Sequence, residues 1–128
     1  MTRHNAFTLA ATVIVAAILP LAAAMLGVSQ WLGAHPWWAG QTAWVGVAVG
    51  LIIGLLSVRR TRWWRIGVGV ALIVVSAIAA GYGKAQFAAS FAEDAFAGRL
   101  WYFGWIGIAA GVASMLLGLL WAGSGSSR

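Results

Sequence analysis

The chain has 128 residues, of which 62% are hydrophobic and only 8% charged, with a mean hydropathy of +0.92. Soluble domains carry roughly a quarter charged residues, so a water-soluble fold is excluded and lipid is the expected solvent. The net charge of +6 does not indicate nucleic acid, because four of the eight Lys and Arg side chains crowd into residues 59–65 and no extended basic face exists; the lack of cysteine removes disulfides, thiol catalysis and iron–sulfur ligation.

The first expected span covers residues 6–28, behind a short lead carrying Arg3. A cleaved signal peptide is the competing reading, with Ala22, Ala23 and Ala24 as small residues near a cleavage point. The apolar run is longer than a signal core, so it is assigned as a helix. Pro20 removes one backbone hydrogen bond within it and is expected to produce a packing kink.

Residues 29–38 contain Trp31, Gly33, His35, Pro36, Trp37 and Trp38 and no Lys or Arg. Indoles favour the headgroup zone, so this is read as an interfacial turn on the outer side. His35 has no Cys, Asp or Glu near it in sequence and is read as a hydrogen-bonded interfacial residue, not a metal ligand.

The second span is placed at 39–58. Gly46, Gly50 and Gly54 recur every fourth residue, which strips one face and lets another helix approach to backbone contact in a right-handed crossing. Whether that partner belongs to this chain or another is not legible from spacing.

The basic segment follows. Arg59, Arg60, Arg62, Trp63, Trp64 and Arg65 form a collar suited to a cytoplasmic membrane surface, and all six are assigned to lipid headgroups, cardiolipin being one candidate. The third span, 66–83, is dense in Val and Ile, with Ser76 its main polar group, and reads as lipid- or bundle-facing. Lys84 can snorkel to the outer headgroups.

Residues 84–99 mix Gln86, Ser90, Glu93, Asp94 and three Phe, and are expected to form a short amphipathic helix on the outer surface. Glu93 and Asp94 are the chain's only acids. Adjacent helical positions point about 100° apart, so the two are read as solvated charges and not as a catalytic pair.

The fourth span, 100–122, begins with the aromatic anchors Trp101, Tyr102, Phe103 and Trp105. Gly104, Gly107, Gly111, Ser114 and Gly118 then repeat in steps of three and four, a small-residue seam suited to a left-handed crossing. The tail from Gly123 to Arg128 is expected to be polar and flexible.

These readings give an all-α integral membrane protein forming one domain over 1–128: four transmembrane helices, an interfacial helix between the third and fourth, and both termini cytoplasmic. Six basic side chains then lie inside and two, Lys84 and Arg99, outside. Seven Arg against one Lys, with much Ala and Gly, suits a GC-rich bacterial genome and an inner-membrane location.

No span carries a central charge, which argues against proton pumps, ion-coupled transporters and voltage sensors. His4 and His35 fall on opposite sides, which excludes a bis-histidine haem. No catalytic residue, metal ligand or dedicated cofactor site is assigned, although lipid, quinone or pigment could fill grooves between helices. The expected function is that of a non-catalytic subunit of a larger inner-membrane complex, respiratory or photosynthetic. It would bind other integral membrane subunits and anionic lipid, and no nucleic acid. The alternatives are a self-assembling pore resembling phage holins in size, span number and basic ends, and a small exporter of lipophilic compounds.

Overall fold

The computed structural model describes residues 3–121; residues 1–2 and 122–128 and the side chains of His4 and Asn5 lie outside it, and with them the expected tail and Arg128. The described residues form five helices: α1 (Arg3–Met25), α2 (Val28–Leu32), α3 (Ala39–Leu56), α4 (Arg62–Ala89) and α5 (Ala95–Leu120). Four of them, all but α2, are long and apolar enough to cross a membrane.

Their ends are set by local chemistry. Gly27, at φ +89°, stops α1, which runs unbroken through Pro20. The Thr61 hydroxyl accepts the Trp64 amide at 3.3 Å and starts α4 before the expected third span. At the start of α5 the Asp94 carboxylate accepts the Ala97 amide at 3.0 Å.

The expected interfacial helix over 84–99 is not a separate element. Residues 84–89 continue α4, 90–94 form a turn, and 95–99 begin α5. The Ala92 amide donates to the Phe87 carbonyl at 2.9 Å and the Phe91 amide to the Ala88 carbonyl at 3.1 Å, the paired bonds of a Schellman motif. Ser90 reinforces the stop, donating its hydroxyl to the Phe87 carbonyl and accepting the Asp94 amide, both at 2.9 Å. At 28 residues, α4 is about 42 Å long at 1.5 Å per residue, longer than a hydrocarbon core of about 30 Å.

The reversal places Phe91 and Ala92 at φ +56° and +68°, a region where a β-carbon is penalised. Phe91 is 91% exposed and has little packing to lose. Phe91→Gly is therefore expected to stabilise the chain by about 1 kcal/mol, read as a raised thermal midpoint in detergent.

α5 is the axis of the bundle. It packs along α4 on one flank and α3 on the other, while α1 lies against α3 and α5. Near the basic segment the core gathers Ala16, Leu117 and Trp121; at the opposite end it gathers Ala34, Ala39, Ala80 and Trp105. Helix α1 is the most outward-facing, with Phe7, Ile14, Ile18 and Leu19 all exposed.

Candidate functional site

The small residues of the second and fourth spans meet helices of the same chain. A β-carbon at Gly46 would lie 2.5 Å from the Ala109 β-carbon and from the Ile106 carbonyl oxygen of α5. At Gly50 it would strike the Ala110 backbone, and at Gly54 the Leu117 side chain. The α5 seam faces α4: Gly104 abuts Ala80, Gly107 abuts Ser76, Gly111 abuts Ile73 and the Gly69 carbonyl, and Gly118 abuts Arg65. Ser114 is buried. Close backbone approach is the packing mode of helices in lipid, where apolar area alone gives no drive to associate.

The matching face of α4 was not singled out in the sequence. Gly69 and Gly83 are both closed against α5, by Met115 and by Ala97 and Trp101. With Arg65, Ile73, Ser76 and Ala80 they recur in steps of three and four, the same signal as in α5, diluted by the surrounding Val and Ile.

The basic collar divides in two. Arg59, Arg60, Trp63 and Trp64 are exposed, and the Arg60 guanidinium lies 4.6 Å from the Trp64 ring centroid. Beside them an open groove of 550 Å³ runs between the end of α3 and the start of α4, with Ile53, Leu56 and Val68 as apolar walls.

Arg62 and Arg65, also assigned to headgroups, both reach the end of α5, Arg62 half-buried and Arg65 buried. Arg65 is only 2% exposed and donates to the Trp121 carbonyl at 3.0 Å; Arg62 donates to the Leu119 carbonyl. The last carbonyls of a helix lack intrahelical donors and form the negative end of its dipole, so α5 draws in both guanidiniums. For Arg65 the headgroup assignment is thereby corrected. The Arg62 Nε and the Arg65 Nε and Nη1 are buried without a hydrogen-bond partner among the described residues. Neither acid of the chain is near, since Glu93 and Asp94 stand at the far end of α4 and α5.

At that far end an aromatic cluster ties the 33–38 loop to α5. The His35 ring lies 5.5 Å from Trp37, 5.9 Å from Trp38 and 5.5 Å from Trp101, and its Nδ1 accepts the Trp37 amide at 3.1 Å. The Trp101 indole N–H donates to the Gly33 carbonyl at 2.9 Å, and its ring packs edge-on to Trp38 at 5.1 Å. Gly33, at φ +125°, turns the chain there.

Among the described residues no group of three or more His, Cys, Asp or Glu could hold a metal ion. Glu93 and Asp94 are exposed, and Asp94 is engaged as the α5 cap. Compared with protein-family models, with curated proteins and with solved structures, the chain matches none.

Proposed function

We propose that the chain is a non-catalytic integral membrane subunit that docks into a larger inner-membrane complex, respiratory or photosynthetic in type. In this reading the basic end faces the cytoplasm and holds anionic lipid through Arg59, Arg60, Trp63 and Trp64. The observation that carries it is the use of the small-residue seams within one chain. The bundle is completed internally, its charged groups stay at the two ends, and what it offers its surroundings is apolar surface, most of all on α1. The pore reading placed these seams between copies, whereas here they are filled by helices of the same chain.

Native mass spectrometry of tagged chain, extracted from its own membrane in mild detergent, tests this reading. The expected species contains other membrane subunits in fixed stoichiometry and retains anionic phospholipid. A basic side chain near such a surface contributes about 1 kcal/mol, so Arg59→Gln with Arg60→Gln should weaken lipid retention about 30-fold. A chain recovered alone, or only with copies of itself, contradicts the subunit reading; unchanged lipid retention contradicts the headgroup assignment.

A further inference from the structure

Two cavities meet beneath α2. The larger, of 280 Å³, is walled by α4 at Ala77 and Gly81 and by α5 at Trp105 and Ile108, with Lys84 at its rim. The smaller, of 120 Å³, lies toward α1 and α3 and shares Leu32, Trp105 and Ile108 with the first. The roof is α2 itself, one short helix between Gly27 and Gly33, both at positive φ, held down where the Gly33 carbonyl accepts the Trp101 indole N–H.

The chemistry of the larger cavity is one-sided. Its walls are mainly hydrocarbon and indole, and its one charged group is the Lys84 ammonium, the only lysine in the chain. That ammonium sits beside the roof, since a β-carbon at Gly33 would lie 3.3 Å from Lys84 Nζ. Its nearest described aromatic partner is the Trp101 ring, at 5.9 Å from the centroid, and no carboxylate is seen pairing with it among the described residues. Along α4 the rise from Arg62 to Lys84 is about 33 Å, close to the hydrocarbon thickness. With the basic end at one headgroup level, Lys84 stands at the other, with the cavity just beneath it.

A half-open apolar cleft with a cation at its rim at headgroup depth selects a molecule with an apolar tail and an anionic head. At 280 Å³ the volume lies just below the range of about 300–1,000 Å³ typical of ligand pockets, which suits one chain and not two. We propose that this cavity binds a single-chain lipophilic carboxylate of the long-chain fatty-acid class, its tail against Trp105 and its carboxylate on Lys84. The proposal does not depend on the subunit reading, because it concerns the opposite end of the bundle.

The test is tryptophan quenching of the purified chain in neutral detergent by a fatty acid brominated in mid-chain, with Trp105→Phe identifying the Trp105 signal. Saturable quenching of Trp105 is expected. Gly81 lines the cavity, and a β-carbon there meets nothing within 4 Å, so Gly81→Leu should weaken the quenching at least tenfold while helicity and thermal midpoint persist. Lys84→Gln should weaken binding of the acid about tenfold and leave its brominated methyl ester unchanged. Quenching of Gly81→Leu at wild-type affinity, or a response that rises linearly with bromolipid, overturns the site. An unchanged acid affinity in Lys84→Gln overturns the carboxylate assignment. Saturable quenching of equal affinity by a brominated two-chain phospholipid overturns the single-chain assignment.

Discussion

Gly50→Leu is expected to destabilise the chain by about 3 kcal/mol or more while leaving membrane insertion intact. A β-carbon at Gly50 would meet the carbonyl carbon and the Cα of Ala110 at 2.8 Å, with the carbonyl oxygen closer still. All three are backbone atoms and cannot rotate away, so α3 and α5 must separate. Overpacking by a methylene or two commonly costs about 1–3 kcal/mol, and leucine brings a whole branched side chain into a contact without free space. Insertion depends on segment hydrophobicity, which leucine raises. Gly67→Leu is the control: it lies in α4, its β-carbon would meet nothing within 4 Å, and leucine improves helix propensity by up to about 1 kcal/mol. Thermal unfolding in detergent should show a large fall for the first variant and no fall for the second.

Trp101→Ala is expected to cost about 3–4 kcal/mol and to free the 33–38 loop. Truncating a large packed aromatic commonly costs about 3–5 kcal/mol, and Trp101 touches the rings of His35, Trp38 and Phe87. It is also the group that donates from α5 to the Gly33 carbonyl, across 68 positions of sequence. Trp101→Phe keeps a ring and loses only the donor, so its cost should be about 1 kcal/mol. Limited proteolysis between Gly27 and Trp38 separates the two effects: cleavage should be fast in the alanine variant and intermediate in the phenylalanine variant. Equal resistance of both to proteolysis would show that the loop is held by something other than Trp101.

The spans were legible because length and apolarity are direct physical requirements of crossing a bilayer. Ala39 was placed as the first residue of its helix, and the two small-residue patterns on α3 and α5 were visible because glycine at steps of three or four leaves a clear spatial signature. What the spacing could not show was the partner. Gly46, Gly50 and Gly54 look the same whether they meet α5 of this chain or a neighbour, because sequence spacing records the stripped face and not what covers it. The face of α4 was missed for a related reason: Gly69, Ser76, Ala80 and Gly83 are interleaved with Val and Ile, so the pattern read as general apolarity.

Two assignments failed on local chemistry. Residues 84–99 mix polar groups with three Phe, of which Phe87 and Phe91 are four apart, and this suggested an amphipathic surface helix. The Schellman bonds at Phe87 and Ala88, followed by the Asp94 cap, instead divide that stretch between two long helices, even though glycine, the usual signal of such a stop, is absent from the turn. Arg65 belongs to a run of guanidiniums that looks uniform in sequence. Its position opposite Gly118 places it against the end of α5, and there the free carbonyls of that helix draw its charge inward. Only a contact between residues far apart in the chain distinguishes Arg65 from Arg60.

The functional consequence is a shift of the candidate docking surface. The glycine-lined faces are spent on holding α3, α4 and α5 together, so any subunit contact must use the outward side, where α1 presents Phe7, Ile14 and Ile18. At the basic end Arg59, Arg60, Trp63 and Trp64 remain exposed beside the open groove, and the proposed headgroup contact rests on these four.

Photo-crosslinking in the native membrane with the methionines replaced by photo-methionine tests this division most directly. Met115 stands on α5 with its backbone nitrogen 2.8 Å from where a β-carbon of Gly69 on α4 would lie, whereas Met25 is 78% exposed. In a preparation mixing heavy- and light-isotope copies, Met115 should join α5 to α4 within single-isotope chains, and Met25 should label lipid or a different protein. Mixed-isotope products at Met115, or its attachment to another protein, would contradict the claim that the small-residue seams close within one chain.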